Sequence, residues 1–323
     1  MKKITVQANA NIALIKYWGK RDESLFLPTK SSLSVALDRL TTVTNIEKIN
    51  KLEDEVVLDG IFLDDSKKIK VVRFLDLFRK KYGIKYFFKI NSENKFPTGA
   101  GLASSASGFA SLAYGLAKLC NLNLSKKELS ILARRGSGSA SRSLDGGFVI
   151  WKKGKEIDGS DSYAQQLFDE NHWKEFCVLV VVVCDKSKKI SSRDAMQTTV
   201  KTSPSYQDWL DKSEKRIIDI ETAIKNKDFR MVGKLAEDDC LDMHRTMQDS
   251  RPSINYWQPA TLKIIQLVRD LRAEGVDCFF TIDAGANVKI LCLNKDVNFI
   301  QSRVKEFKEV KNTILCRVGK GAH

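Results

Sequence analysis

A chain of 323 residues, 43% hydrophobic and 29% charged with only 5 prolines, is long enough for a full core and has the composition of a folded globular protein. That excludes a short binding peptide and a disordered or fibrous polymer. Its 54 Lys and Arg against 40 Asp and Glu give a net charge of +14, which fits either a nucleic-acid-binding face or a lysine-rich surface around a pocket for small anions.

In chain order, "MKKITVQANAN" carries two lysines but no apolar stretch before polar residues resume, so no signal peptide is expected and the cytoplasm is the expected location. Strands are predicted in "ITVQANANIALI", "SLSVALDRLTTVTNIEKI" and "VVLDGIFL", the last turning at Asp59-Gly60. Ile69, Val72, Leu75 and Phe78 recur at helical spacing up to Gly83; a strand "YFFKI" and an Ala-rich helix over about 102–119 follow. "GGFVIW" and "FCVLVVVV" read as strands. The longest apolar run, Phe176 to Cys184, has nine residues where a bilayer span needs roughly 20, so no membrane association is expected. Helices are predicted over about 206–225, 229–249 and 259–274, then strands "CFFTI" and "VKILCL", a helix over about 298–307 and a closing strand "TILCRV". The order is α+β, strand-rich first and helix-rich later, without repeats or low-complexity linkers, and suggests two domains, 1–175 and 176–323. Seven cysteines without a CxxC pair point to reduced buried thiols, and three dispersed histidines do not suggest a metal site.

Four stretches carry candidate chemistry. "IKYWGKRD" departs from strand alternation after Ile15, crowding cations and aromatics as if awaiting an anion. "FPTGAGLASSASGFASLA" places a glycine-rich bend before a helix start bearing Ser104, Ser105 and Ser107, where free N–H groups and a positive helix end form an anion cradle. It is neither a Walker A loop nor a dinucleotide fingerprint, and a small-residue packing face would look the same. "RRGSGSASRSLDGG" has little apolar content and reads as a loop whose Arg142 can fork onto a carboxylate or phosphate; a flexible turn is the plainer alternative. In "TIDAGANVKIL", Asp283 ends an apolar strand at a tight turn, placed either for proton chemistry or as a turn cap. "KKISSRDAM" adds Ser191, Ser192 and Arg193.

Together "IALIKYWGKRD", "LPTKSSLSVAL", "FPTGAGLASSASGFA", "GSGSASRS", "KKISSRDAM", "MHRTMQDSRPSINYW" and "TIDAGANVKI" resemble, in order over about residues 4–293, the signatures of the diphosphomevalonate decarboxylase family. That family belongs to the galactokinase, homoserine kinase, mevalonate kinase and phosphomevalonate kinase (GHMP) superfamily. Gly99, Ser141 and Ala286 depart from its usual Ala, Cys and Pro. The resemblance implies a ribosomal-S5-like N-terminal domain, a ferredoxin-like C-terminal domain and a homodimer. It implies an ATP- and Mg2+-dependent decarboxylation of mevalonate 5-diphosphate, with no nucleic-acid partner. Catalysis would rest on Asp283, Lys16 and Arg142. Tyr17, Lys20, Ser137, Ser139, Ser192 and Arg193 would hold the substrate, and Pro97, Gly99, Ala100, Gly101, Ser104 and Ser105 the ATP, Ser105 also facing the metal. Relatives that use mevalonate 5-phosphate, or that keep the fold as sensors or nucleic-acid binders, are the alternatives.

Overall fold

The computed structural model describes residues 2–96, 104–185 and 190–323. Two long strands, β1 (Lys3–Ile15) and β4 (Ser32–Ile49), pair antiparallel as the spine of the first sheet. Between them β2 (Lys20–Asp22) and β3 (Leu27–Pro28) form a small hairpin. β5 (Glu55–Leu58) turns into β6 (Ile61–Phe62) through Asp59 and Gly60, both left-handed at φ 52° and 79°, as a two-residue hairpin of this twist requires. The helix α1 (Asp65–Tyr82) then crosses over so that β7 (Phe87–Asn94) lies parallel to β5. Next come α2 (Ser104–Leu119), α3 (Lys126–Arg134), a 3-10 helix (Gly138–Ser143), β8 (Phe148–Trp151) and β9 (Ala164–Phe168). The sheet order is β6-β5-β7-β4-β8-β9, with β1 also on β4.

The later half begins with β10 (Phe176–Val182). It continues through α4 (Ser192–Thr202), α5 (Tyr206–Lys225), α6 (Phe229–Gln248), α7 (Pro259–Ala273), β11 (Cys278–Ile282), β12 (Val288–Leu293), α8 (Val297–Lys305) and β13 (Asn312–Arg317). Its antiparallel sheet runs β11-β12-β10-β13. Every residue of β10 is buried because both its faces are covered. Phe176, Val178, Val180 and Val182 join a core with Ala10, Ile12 and Leu14 of β1 and Ile220 and Ile224 of α5, while Cys177, Leu179 and Val181 pack with Ile264 and Val268 of α7. β1 loses its alternation for the same reason, being fully buried from Ala8 onward. After β13 the chain returns to the first sheet, where Gln7 and His323 exchange backbone hydrogen bonds of 2.9 and 3.0 Å.

The α+β order is as read from the sequence, and all seven cysteines are free thiols, five of them buried. No helix among the described residues is long and apolar enough to cross a membrane. Five elements escape the periodicity reading: the short strands β2 and β3, then α3, β9 and α4. α3 nevertheless carries a capping box, Ser125 with Glu128. The stretch around Arg142 is a correction. It is not a flexible loop but a buried 3-10 turn, packed through hydrogen bonds instead of apolar area: Ser141 Oγ donates to the Gly138 carbonyl at 2.7 Å, and Asn11 Nδ2 to Ser143 Oγ at 2.8 Å.

Candidate active site

A cleft of about 390 Å3 is lined by the end of β1, the hairpin β2–β3, the first turns of α2 and α4, the 3-10 helix and the turn after β11. Lys16 leaves β1 with its backbone N–H donating to Asp239 Oδ2 on α6 at 2.6 Å. Its ammonium reaches Asp283 Oδ1 at 2.7 Å, with the side chain 2% exposed. Lys289, buried on β12, approaches the other oxygen of Asp283 at 3.4 Å. Burial pushes the Asp283 carboxyl up, but the two ammoniums outweigh it and hold the group well below the usual carboxylate range. Asp283 is therefore an anion shared by two cations. In the turn itself, Gly285 N–H donates to the Asp283 backbone carbonyl at 2.7 Å, while the carboxylate oxygens meet the two ammoniums.

Helix α6 braces this pair from behind. Cys240 Sγ accepts the Ile282 N–H at 3.1 Å, and His244 Nε2–H donates to the Ile282 carbonyl at 3.2 Å, so both backbone groups of the residue before Asp283 are pinned. Burial drives the His244 imidazole down to about 3, leaving it neutral at working pH. Asp239, fully buried, collects Lys30 Nζ at 3.2 Å, Trp209 Nε1 at 3.0 Å and Arg216 Nη1 at 3.4 Å as well as the Lys16 amide.

Arg142 is also buried, yet its partners are neutral. Nε donates to Ser34 Oγ at 3.0 Å and Asn11 Oδ1 at 3.2 Å, Nη1 donates to Ser32 Oγ, and the guanidinium lies 5.9 Å from the Trp151 ring. No carboxylate forms an ion pair with it among the described residues, and Nη2 has no hydrogen-bond partner there. Burial pulls its guanidinium down to about 10, against the fields of Asp283 and Tyr17. Tyr17 packs on Trp151 at 4.7 Å and against Gly138, where a Cβ would stand 2.7 Å from the phenol oxygen. That hydroxyl is buried without a hydrogen-bond partner among the described residues, and burial raises its pKa.

At the other end, Ser105 Oγ lies 3.3 Å from Ser137 Oγ, itself 3.3 Å from Ser139 Oγ. With Ser104, these hydroxyls face the cleft at the start of α2, a helix with no acidic residue in its first turn. Pro97, Gly99, Ala100 and Gly101 lie outside the described residues. Ser192 and Arg193 open α4, capped by Ser191 Oγ accepting from Asp194 N–H, and also line the cleft. Gly19 must be glycine: its φ is 99°, and a Cβ there would sit 1.9 Å from the Tyr206 hydroxyl. The fold thus brings every described candidate to one cleft, Lys16, Tyr17, Lys20, Ser104, Ser105, Ser137, Ser139, Arg142, Ser192, Arg193 and Asp283. Sequence reasoning missed Lys289 and Asp239. A lone lysine inside the apolar strand "VKILCL" was the available signal, since a buried ammonium needs a counter-ion.

A family model described as the diphosphomevalonate decarboxylase-like N-terminal domain matches residues 8–164, and one for the mevalonate 5-diphosphate decarboxylase C-terminal domain matches residues 178–321. The diphosphomevalonate decarboxylase of Aspergillus fumigatus is 40% identical over 322 residues, covering 94% of this chain and 80% of that protein. The mevalonate diphosphate decarboxylase structure from Staphylococcus aureus superimposes with a TM-score of 0.94 at 37% identity, covering 100% of this chain and 97% of that one. A structure described as MDDEF in complex with MVAPP, AMPPCP and magnesium superimposes at 0.93 with 42% identity, covering 99% and 98%. The fold is that of the GHMP kinases, and the chain belongs to the diphosphomevalonate decarboxylase family.

Proposed function

We propose that this chain converts mevalonate 5-diphosphate to isopentenyl diphosphate, carbon dioxide, ADP and phosphate, with ATP phosphorylating the tertiary C3 hydroxyl. The observation that carries this reading is the pair of opposite devices in one cleft: an ionised Asp283 fixed by Lys16 and Lys289, beside a buried Arg142 with no anionic partner among the described residues. Asp283 accepts the C3–O–H hydrogen bond and aims the oxygen at the γ-phosphorus. Two lysines make it a weak base, so orientation is its first role; it takes the proton only as the O–P bond forms and the γ-phosphorus–oxygen bond to ADP breaks. Arg142 pairs with the substrate carboxylate. When the C3–O bond breaks, its electrons leave with phosphate, the C1–C2 pair becomes the C2=C3 double bond, and C1 departs as carbon dioxide. No carbanion sink such as pyridoxal or thiamine is needed.

Tyr17, Lys20, Ser137, Ser139, Ser192 and Arg193 hold the mevalonate 5-diphosphate, while Ser104, Ser105 and the start of α2 face the ATP phosphates, a role that family resemblance also gives to Pro97, Gly99, Ala100 and Gly101. No group of three acidic, His or Cys side chains suited to a metal occurs among the described residues, so the donor set is the serine hydroxyls, which fits a Mg2+ held mainly by nucleotide phosphates and water. Ser105 would hold it, and when bound it supplies charge neutralisation to the transferring phosphoryl group. The domains divide near residue 175, between β9 of the first sheet and β10 of the second. Family resemblance supports a cytoplasmic homodimer.

The test is incubation with ATP, Mg2+ and either mevalonate 5-diphosphate or mevalonate 5-phosphate. Carbon dioxide and isopentenyl diphosphate should form in equal amounts, with kcat/KM higher for the diphosphate. ADP release without carbon dioxide would reduce the chain to a kinase, and preference for the monophosphate would overturn the substrate assignment.

A further inference from the structure

We infer that Phe26 is a positioning residue for the anion grip, a neutral ring that holds Lys20 and Arg193 ready for the substrate's diphosphate. The inference rests on the reading that those two cations bind that group. The Lys20 ammonium lies 5.2 Å and the Arg193 guanidinium 5.1 Å from the centroid of the same Phe26 ring, which lines the cleft. The Arg193 side chain makes no hydrogen bond or ion pair among the described residues, so the Phe26 ring is what it rests on there. Lys20 also meets Glu23 at 2.6 Å, a carboxylate 44% exposed and able to turn to water when an anion arrives.

The backbone holds the ring there deliberately. Phe26 has φ 57°, a left-handed conformation that a bulky side chain avoids unless its surroundings impose it. Both sides do so. Leu25 N–H donates to Asp22 Oδ1 at 2.6 Å, the Leu25 carbonyl accepts from the buried Arg134 Nε at 3.1 Å, and the Leu27 side chain is fully buried. Two cations waiting at one site repel each other. A carboxylate between them would relieve that but would also repel the incoming phosphates. An aromatic face attracts each cation through its quadrupole while carrying no charge to oppose the ligand.

The experiment compares Phe26→Leu, which keeps apolar bulk but loses the ring, with Phe26→Tyr and Phe26→Trp, alongside Lys20→Ala and Arg193→Ala, by steady-state kinetics. Phe26→Leu should raise KM for mevalonate 5-diphosphate roughly three- to tenfold with kcat within about twofold and KM for ATP unmoved, the size of a cation–π contribution. Tyr and Trp should restore KM to within about twofold of wild type. Combining Phe26→Leu with Arg193→Ala should raise KM by less than the product of the separate factors. If Phe26→Leu does not fold, Phe26→Met replaces it. An unchanged KM in the leucine variant, with KM raised in Lys20→Ala and Arg193→Ala, would overturn the platform and leave the grip standing. Equal losses in Leu, Tyr and Trp would reduce Phe26 to packing. Unchanged KM in all of them would overturn grip and platform together.

Discussion

Two regions of the cleft bury positive charge in opposite ways. At the β11–β12 turn, Lys16 and Lys289 share the permanent counter-ion Asp283. At the 3-10 helix, Arg142 is held, among the described residues, by the oxygens of Asn11, Ser32 and Ser34. A cation with a built-in carboxylate spends its field inside the protein, whereas one held by dipoles keeps its charge for an anion that arrives. Breaking the first kind strands charges, and removing the second kind relieves a desolvation cost. Activity and stability should therefore part company between the two regions.

The largest effect is expected at Asp283. Asp283→Asn keeps the shape but leaves two buried ammoniums without their anion. Single-turnover formation of ADP and carbon dioxide should fall roughly 10² to 10⁴-fold if the carboxylate orients the hydroxyl or takes its proton. The variant should fold and bind nucleotide, with a melting midpoint several degrees lower. Both products at near the wild-type rate would remove Asp283 from the chemistry. An unshifted midpoint would erase its electrostatic contrast with Arg142.

Arg142→Met sharpens the same contrast from the other side. It should lower kcat/KM for the mevalonate acceptor about 10²-fold, the scale of a lost charge-assisted pair. Its melting midpoint should equal or exceed that of the wild type, because no carboxylate is left unpaired. A fall as large as that of Asp283→Asn would show that Arg142 is structural.

What the sequence disclosed of these two regions follows from how each is built. Asp283 and Lys16 were legible because each breaks a strand pattern at its end, where polarity has no packing purpose. Lys289 was not singled out, since a lysine in a strand reads as an outward residue until the second face is known to be covered. The run around Arg142 looked like a loop because periodicity registers apolar stripes, and this segment packs by serine hydroxyls and glycine contacts. α4 was lost for a related reason: Ala195, Met196 and Thr199 are its buried residues, too short a stripe to stand out. Strands such as β10, with two apolar faces, announce themselves, while sites assembled from polar residues show only their motifs.

Ser105→Ala tests the ATP end with a smaller effect. Loss of one neutral hydroxyl facing phosphate should slow turnover roughly three- to tenfold, the range of about 0.5 to 1.5 kcal/mol for a single hydrogen bond, while KM for the mevalonate acceptor stays within about twofold. Wild-type turnover with only acceptor affinity lost would move the nucleotide to another loop.

The smallest effect concerns Lys30, which meets charge in a third way. Its ammonium is buried 3.2 Å from Asp239 Oδ1 and 3.9 Å from the Trp209 ring centroid, and Asp239 is already shared with Arg216 and the Lys16 amide. Burial pulls the Lys30 ammonium down to about 8 despite Asp239, whereas a lysine in the unfolded chain titrates near about 10.4. The folded protein therefore binds this proton less tightly than the unfolded chain does. The stability this group contributes is fully present above about pH 10.4 and is lost as pH falls through about 8. Lys30→Met cannot titrate, so urea unfolding of wild type and variant at intervals from about pH 7 to 10.5 isolates the group. The stability of the wild type relative to the variant should rise with pH across that window and be level below it. A difference that stayed flat, or fell with rising pH, would mean that Asp239 offsets the burial of Lys30 in full, and the fold would then have two ways of burying positive charge instead of three.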